Sequence, residues 1–146
     1  MPAPKEIHAE RFSISLEPDL LEAFDAFRAQ RGYATRSEAV RDLIREALVQ
    51  RAWEQPDTEV VGTLTLVYDH DATDVSNALT NLQHHHHSAV VCTTHVHLDE
   101  RDCLEVTVLR GSSAEVRRLA DHLLAHKGVV HGRLVTTAAR GGLPAR

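Results

Sequence analysis

Apolar and polar residues alternate strictly near the start of the chain. Between Arg11 and Leu16, Phe12 and Ile14 fall on the same side as Leu16, and the residues between them are polar. A period of two places successive side chains on opposite faces of an extended strand. The pattern therefore predicts a half-buried strand over residues 11–16.

Two helices are predicted after this strand, because the period of the apolar residues changes to about 3.6. Pro18 suits the first turn of the first helix, and Gly32 is placed to end it. The second helix begins with a capping box, in which Thr35 caps the first turn and Glu38 reaches back to it. The strand and the two helices form a first predicted domain.

This first domain, residues 1–52 with an extra arm at 1–9, is too small to fold well alone. It buries little apolar surface, and its single strand leaves backbone groups unpaired. Both problems are removed when two chains pair their strands, so the sequence predicts a dimeric ribbon-helix-helix domain. The polar face of such a two-stranded ribbon fits the major groove of double-stranded DNA.

The predicted DNA contacts follow from this arrangement. Arg11, Ser13 and Ser15 lie on the polar face of the strand and are predicted to reach base edges. Arg36 and Ser37 stand at the start of the second helix, where backbone N–H groups favour phosphate. The alternatives are a solvated strand face for the first set and ordinary helix capping for the second.

A second pattern begins after a predicted linker at residues 53–59. Its order of strands and helices, βαββαβ, is that of a ferredoxin-like domain, which we assign to residues 60–137. In this α+β arrangement two helices cover one face of a four-stranded sheet, and the other face is left for a partner. Residues 138–146 are predicted to be a tail. The strands are predicted at 60–68, 89–98, 103–109 and 129–136, and the helices at 74–83 and 112–127.

Histidine is the unusual feature of the composition. Ten of the 11 histidines follow residue 69, and four are consecutive at His84–His87. The net charge of −5 means that any DNA contact depends on the arrangement of charges rather than on bulk charge. Apolar runs stay well below the ~18 residues of a membrane span, and the first residues lack a signal-peptide core. We therefore expect a cytoplasmic protein without a membrane partner.

His95 and His97 lie two residues apart on a predicted strand, so their side chains share a face. A hairpin loop of three residues would place His97 opposite Cys103 and His95 opposite Glu105. The apolar pattern favours this register, because it gathers one set of apolar residues on a face that we assign to the core. That set is Val96, Leu98, Leu104, Val106 and Val108. The two imidazoles and the thiol would then share the opposite, non-core face.

Three protein ligands leave a metal ion incomplete, and the run His84–His87 could supply a fourth nitrogen. The donor could come from the same chain or from a neighbouring subunit packed on the open face. Imidazole and thiolate donors suit Zn, Cu or Ni better than Mg or Ca. A sensory metal, a structural zinc and unlinked surface residues all remain open on this reasoning.

Taken together, these motifs resemble those of one family, the nickel-responsive ribbon-helix-helix repressors known as NikR. The resemblance covers roughly residues 10–136, and its most specific part is the combination of QHHHH, HVH and a cysteine eight residues after the first histidine of HVH. The segments that carry it are RFSIS at 11–15, RGY at 31–33, RSEA at 36–39, RD at 41–42, QHHHH at 83–87, HVH at 95–97 and CLE at 103–105.

The resemblance implies a homotetramer, in which two DNA-binding dimers flank four ferredoxin-like regulatory domains of the ACT type. It implies one Ni(II) per subunit in square-planar coordination, with His95, His97 and Cys103 from one subunit and His84 from another. It also implies that Tyr68 and Glu105 lie near the metal. A second, weaker cation site in the family matches Glu38 and Asp42.

The implied function is repression of nickel-uptake genes by the nickel-loaded protein at an operator with two-fold symmetric half-sites. One alternative is a ribbon-helix-helix regulator that responds to Zn, Cu or Co, or to a small molecule bound by its ACT-type domain. Another is an enzyme or metal carrier, with Glu105 as a general base. That alternative gives the ribbon-helix-helix half no purpose, so we expect a protein that is not an enzyme.

Overall fold

The computed structural model describes residues 10–72 and 75–139, and the chain divides into two compact units. The first unit ends at Glu46 and the second begins at Ala47. The predicted arm at 1–9 and most of the predicted tail lie outside the described residues.

Two helices make up the regular structure of the first unit. Helix α1 spans Pro18–Arg31, and helix α2, Arg36–Glu54, begins in this unit and continues into the second. Helix α1 ends at Gly32, whose φ of +77° lies in the left-handed region that favours glycine. The predicted capping box is confirmed, since the Thr35 backbone N–H donates to Glu38 Oε2 and the Glu38 backbone N–H donates to Thr35 Oγ1, both at 3.2 Å.

The predicted strand at 11–16 is not present in the isolated chain. Residues 10–17 carry no helix or strand, and Phe12 and Ile14 are 71% and 66% exposed. A strand requires backbone hydrogen bonds to a neighbouring strand, and within one chain this segment has none. The ribbon therefore remains a prediction for a pair of chains.

The second unit confirms the predicted ferredoxin-like topology. All the described strand pairs are antiparallel, and the sheet order is β2-β3-β1-β4. The elements are β1 (Glu59–Asp69), α3 (Val75–His85), β2 (Val90–His97), β3 (Asp102–Ser112), α4 (Ser113–Leu124) and β4 (Val129–Thr137). Strand β2 therefore lies at one edge of the sheet, and its residues from Val91 to His97 are exposed.

The core of this unit lies between the helices and one face of the sheet. Leu64 and Leu66 of β1 are fully buried against Leu79 of α3 and Leu119 of α4. Burial alternates along β1 and β3, so every second residue of each strand faces the helices. Each fully buried leucine contributes roughly 1.5–3 kcal/mol to stability.

Trp53 shows that α2 continues into the second core. The prediction placed this residue in a linker, but it is helical and only 1% exposed. Its indole N–H donates to the carbonyl oxygen of Thr137 at 2.8 Å, and the Arg117 guanidinium lies 5.3 Å from its ring centroid. A large aromatic side chain with a satisfied N–H belongs in a core, so Trp53 is a core residue of the second unit rather than part of a linker.

The assignment of the two sheet faces was wrong, although the register was right. The helices cover the face that carries Cys103 and Glu105, whereas Val96 and Leu98, on the opposite face, are 45% and 53% exposed. Alternation separates two faces without indicating which one the helices choose. Here Leu64, Leu66 and Tyr68 of β1 select the helix side. We call the uncovered side the open face; its apolar residues are Val61, Val67, Val96, Leu98, Leu104, Val106, Val108 and Val135.

Candidate metal centre

The β2–β3 hairpin has the predicted register. His97 pairs with Cys103, and His95 pairs with Glu105. The turn is closed by a hydrogen bond from the Leu98 N–H to the Asp102 carbonyl oxygen at 2.8 Å. Because cross-strand partners project to the same side, the sheet itself brings these four side chains onto one face.

Two imidazoles and a thiol converge at this point. His95, His97 and Cys103 each offer one donor atom, and the three atoms lie within 4.8 Å of one another. Cys103 Sγ and His97 Nδ1 are 3.3 Å apart. Metal–nitrogen and metal–sulfur bonds of about 2.0 and 2.3 Å allow one ion to reach both atoms. The residues present therefore fit a borderline-soft metal ion such as Ni(II).

Both residues predicted near the metal contact this cluster or border it. The Tyr68 hydroxyl lies 3.0 Å from His95 Nδ1, and the two rings meet edge to face. A metal ion bound at His95 Nε2 would leave the Nδ1 proton for Tyr68, which fixes the orientation of the ring. Glu105 is 7% exposed and lies across from His95. Burial raises the pKa of both the Tyr68 phenol and the Glu105 carboxyl.

The surroundings of Cys103 favour the protonated thiol over the thiolate when no metal is bound. Burial, followed by the nearby charges of Asp102 and Asp99, raises the pKa of this thiol above its ordinary value. A metal ligand must be the thiolate, so binding of a metal ion would release the proton. Cys92, the other cysteine, is exposed on β2.

His84 does not join the cluster of its own chain. It lies in the last turn of α3, its side chain is exposed, and in the described part of the chain the cluster holds only the three residues of the hairpin. The set therefore offers three protein donors, which is one fewer than a four-coordinate site requires.

Sequence reasoning missed a group of polar residues beside the cluster. The Gln83 side-chain amide donates to Glu105 Oε1 at 2.5 Å and accepts from Thr93 Oγ1 at 3.1 Å. His70 was also missed, and its ring centroid lies 5.7 Å from that of His97. Thr93 could have been noticed, because it stands two residues before His95 on the same strand face.

The predicted DNA contacts lie in the first unit and are exposed. Arg11, Arg36 and Ser37 line one groove, while Ser13 and Ser15 project from the segment without regular structure. Arg36 holds the carboxylate of Asp25 with two hydrogen bonds of 2.8 and 2.5 Å. These bonds from Arg36 lower the pKa of Asp25. A role of these residues toward DNA remains a prediction.

The two carboxylates predicted for a second cation have other partners. Glu38 accepts the Thr35 backbone N–H, and Asp42 forms an ion pair with Arg45 at 2.8 Å. Neither belongs to a group of three metal-ligating side chains among the described residues. The second cation site remains a prediction.

Both halves of the chain match families of known proteins. Residues 61–137 match the NikR C-terminal nickel-binding domain, and residues 10–51 match the ribbon-helix-helix proteins of the copG family. Within the described residues, no helix is both long and apolar enough to cross a membrane.

Several curated proteins assigned as nickel-responsive regulators are similar over most of their length. One from Nitratidesulfovibrio vulgaris is 54% identical over 127 residues, which covers 87% of this chain and 91% of the relative. One from a Geobacter species is 53% identical over 133 residues, covering 91% and 96% of the two chains. One from Geobacter metallireducens is 55% identical over 127 residues, covering 87% and 91%. The chain therefore belongs to the NikR family.

Proposed function

We propose that this protein is a nickel-dependent, DNA-binding transcriptional repressor of nickel-uptake genes. The observation that carries the proposal is the cluster of His95, His97 and Cys103, whose donors suit Ni(II) and number three among the residues that the structure describes. The ribbon-helix-helix half explains why such a cluster stands on a DNA-binding protein. The metal would act as a signal rather than as a catalyst.

The proposed assembly is a homotetramer with one nickel ion per subunit. The site is completed by His84 of a neighbouring subunit, which approaches the exposed edge strand β2, where His95 and His97 are also exposed. Further support comes from the open face of the sheet, since Val135 there is 56% exposed in the single chain. Large apolar surfaces of this kind mark sites of association.

In the proposed mechanism, a bound nickel ion would be held by coordinate bonds from two subunits, and the residues of this chain would convert that link into a signal. The subunits joined through His84 and the hairpin would hold the ribbon-helix-helix dimers in the arrangement that fits a two-part operator. Nickel can shift the equilibrium only if it binds more tightly to the arrangement that fits the operator than to the arrangements that do not. A coupling of about 1–3 kcal/mol, typical of such linkage, corresponds to roughly 5–150-fold in DNA affinity.

The first test is a Ni(II) titration of tag-free protein, followed by ultraviolet-visible absorption. We expect a thiolate-to-nickel charge-transfer band that saturates at one nickel ion per chain. Cys103→Ser should lose the band because the thiolate is gone, whereas Cys92→Ser, the matched control, should keep it. Tight nickel binding by Cys103→Ser would refute the site. A tetrahedral spectrum with zinc preferred over nickel would favour a sensor of another metal.

The second test measures the affinity of the protein and its variants for DNA. Duplexes selected from a random library by the nickel-loaded protein would serve as the probe. We expect Arg11→Ala to cost about 1–3 kcal/mol of specific binding, the value of one bidentate contact to guanine. Arg118→Ala removes the same charge from an exposed position on α4 and should leave the affinity nearly unchanged. Equal losses in both variants would show that Arg11 contributes only charge.

A further inference from the structure

A closed ring of polar side chains joins the last turn of α3 to the two strands of the hairpin. The Gln83 amide bonds to Glu105 and Thr93, as described above. Thr93 Oγ1 lies 3.3 Å from Thr107 Oγ1, and the Thr107 hydroxyl donates to Glu105 Oε1 at 3.5 Å. Both polar atoms of the Gln83 amide are therefore used, its nitrogen as a donor and its oxygen as an acceptor.

The position of this ring relates it to the metal cluster. Thr93 stands two residues before His95 on β2, and Glu105 stands two residues after Cys103 on β3. Residues two apart on a strand share a face, so each anchor of Gln83 is the nearest same-face neighbour of a metal ligand. Thr107 is fully buried and Glu105 is 7% exposed. A buried carboxyl group is costly unless it is hydrogen-bonded, and Gln83 and Thr107 both donate to Glu105.

The ring also fixes the direction of the next residue. Successive side chains of an α-helix are turned by about 100°, since a turn takes about 3.6 residues. With Gln83 held toward the sheet, His84 is turned to the side of the helix, in agreement with its exposed side chain. While the amide is bound, His84 is kept out of the cluster of its own chain and is free to enter that of a neighbour.

We propose that Gln83 is a positioning residue that presents His84 to the metal site of the neighbouring subunit. The inference rests on the proposed function, in which His84 completes that site. Because Gln83 is anchored on the strands that carry a chain's own ligands, it also links the site a chain holds to the site it helps to complete.

The test uses Gln83→Met, which keeps the size and helix preference of the side chain but removes both hydrogen bonds. Asn81→Met changes an exposed amide on the same helix and serves as the matched control. In Ni(II) titrations we expect Gln83→Met to bind nickel about 10- to 100-fold more weakly, as for other supports of metal ligands. In metal-free protein, hydrogen exchange of the backbone amides at 84–87 should be faster in Gln83→Met only.

Mixed assemblies distinguish positioning of His84 from support of the chain's own cluster. Gln83→Met and Cys103→Ser chains, carrying different histidine-free tags, are unfolded together, refolded and purified through both tags. The thiolate band then reports only the Gln83→Met chains, and those beside a Cys103→Ser chain receive a well-placed His84. We expect this part of the band to form at nickel concentrations close to those of the wild type. A mixed assembly that binds as weakly as Gln83→Met alone would overturn the inference, as would a Gln83→Met protein that binds like wild type.

A second variant keeps the test valid if Gln83→Met destabilises the fold by taking the amide donor from the Glu105 carboxyl group. Thr93→Val removes the other hydrogen bond of Gln83 and leaves that donor in place, and we again expect weaker nickel binding. The same mixing with Cys103→Ser chains should restore tight binding. Failure of the proposed function would be seen separately, as a wild-type protein without a Cys103-dependent nickel band.

Discussion

At the scale of single residues, Cys103 illustrates how a core position can also be a ligand. Its side chain is fully buried, and burial raises the pKa of the thiol above the ordinary value of 9.0. The neutral thiol suits the metal-free core, since it behaves as a small apolar group. The free-energy cost of forming the thiolate is offset only when a metal ion binds. The position therefore favours metal ions that bind a thiolate strongly over those that bind it weakly.

The raised pKa predicts a dependence of nickel affinity on pH. Below its pKa the thiol is protonated, so binding releases one proton from Cys103. Between pH 7 and 8.5 we therefore expect nickel affinity to rise about tenfold per pH unit, for one proton released. Competition with a chelator of known pH dependence measures it, and a flat profile would mean that the thiolate exists before nickel binds.

At the scale of elements, two glycines are required for different reasons. Gly32 ends α1 with φ +77°, and a Cβ atom there would meet nothing within 4 Å. Gly128 precedes β4 with φ +101°, and a Cβ atom there would overlap the side chain of Val75 and come within 3.1 Å of Ala72. The first glycine is required only by its backbone conformation, whereas the second is required by packing as well.

We therefore expect unequal losses from the same substitution. Gly32→Ala should cost about 1–2 kcal/mol, the penalty for an alanine in the left-handed region. Gly128→Ala should add an overpacking cost of about 1–3 kcal/mol, because Val75 of α3 must move. Urea unfolding of the metal-free protein, followed by circular dichroism, measures both. Equal losses would show that α3 yields to the added methyl group without strain.

The elements also show what the sequence could and could not predict. Local signals such as the capping box at Thr35 and the apolar alternation of β3 gave correct helix starts and the correct hairpin register. They did not indicate which face of the sheet the helices cover, because both faces of β3 carry residues that can be buried. The bonds of Gln83 could not be predicted either, since they depend on where α3 ends relative to β2.

At the scale of the whole molecule, each unit leaves an apolar surface without a partner in the single chain. In the first unit this surface includes Phe12 and Ile14, and in the second it is the open face of the sheet. These surfaces belong to different units and predict separate contacts between chains. A substitution on one can therefore leave the other contact intact.

Val106→Glu places a charge near the middle of the open face. A charge buried in an apolar contact without a partner costs several kcal/mol, so we expect the nickel-loaded assembly to fall from four chains to two. The remaining pairs would be held by the paired strands of residues 11–16. Sedimentation measures the mass, and His122→Glu on the exposed side of α4 is the matched control. Retention of four chains by Val106→Glu would place the tetramer contact elsewhere.

The exposed Phe12 and Ile14 have a consequence for the supply of the regulator. If their strand forms only between two chains, the folding of the DNA-binding half is a second-order process, and its yield depends on how much protein has been made. At low abundance a larger fraction would stay as single chains, which lack a DNA-reading surface whatever the nickel level. The rate of synthesis would thus set a threshold for control of DNA binding by metal. A cell that dilutes the protein by growth would lose the paired, DNA-binding form more steeply than the protein itself.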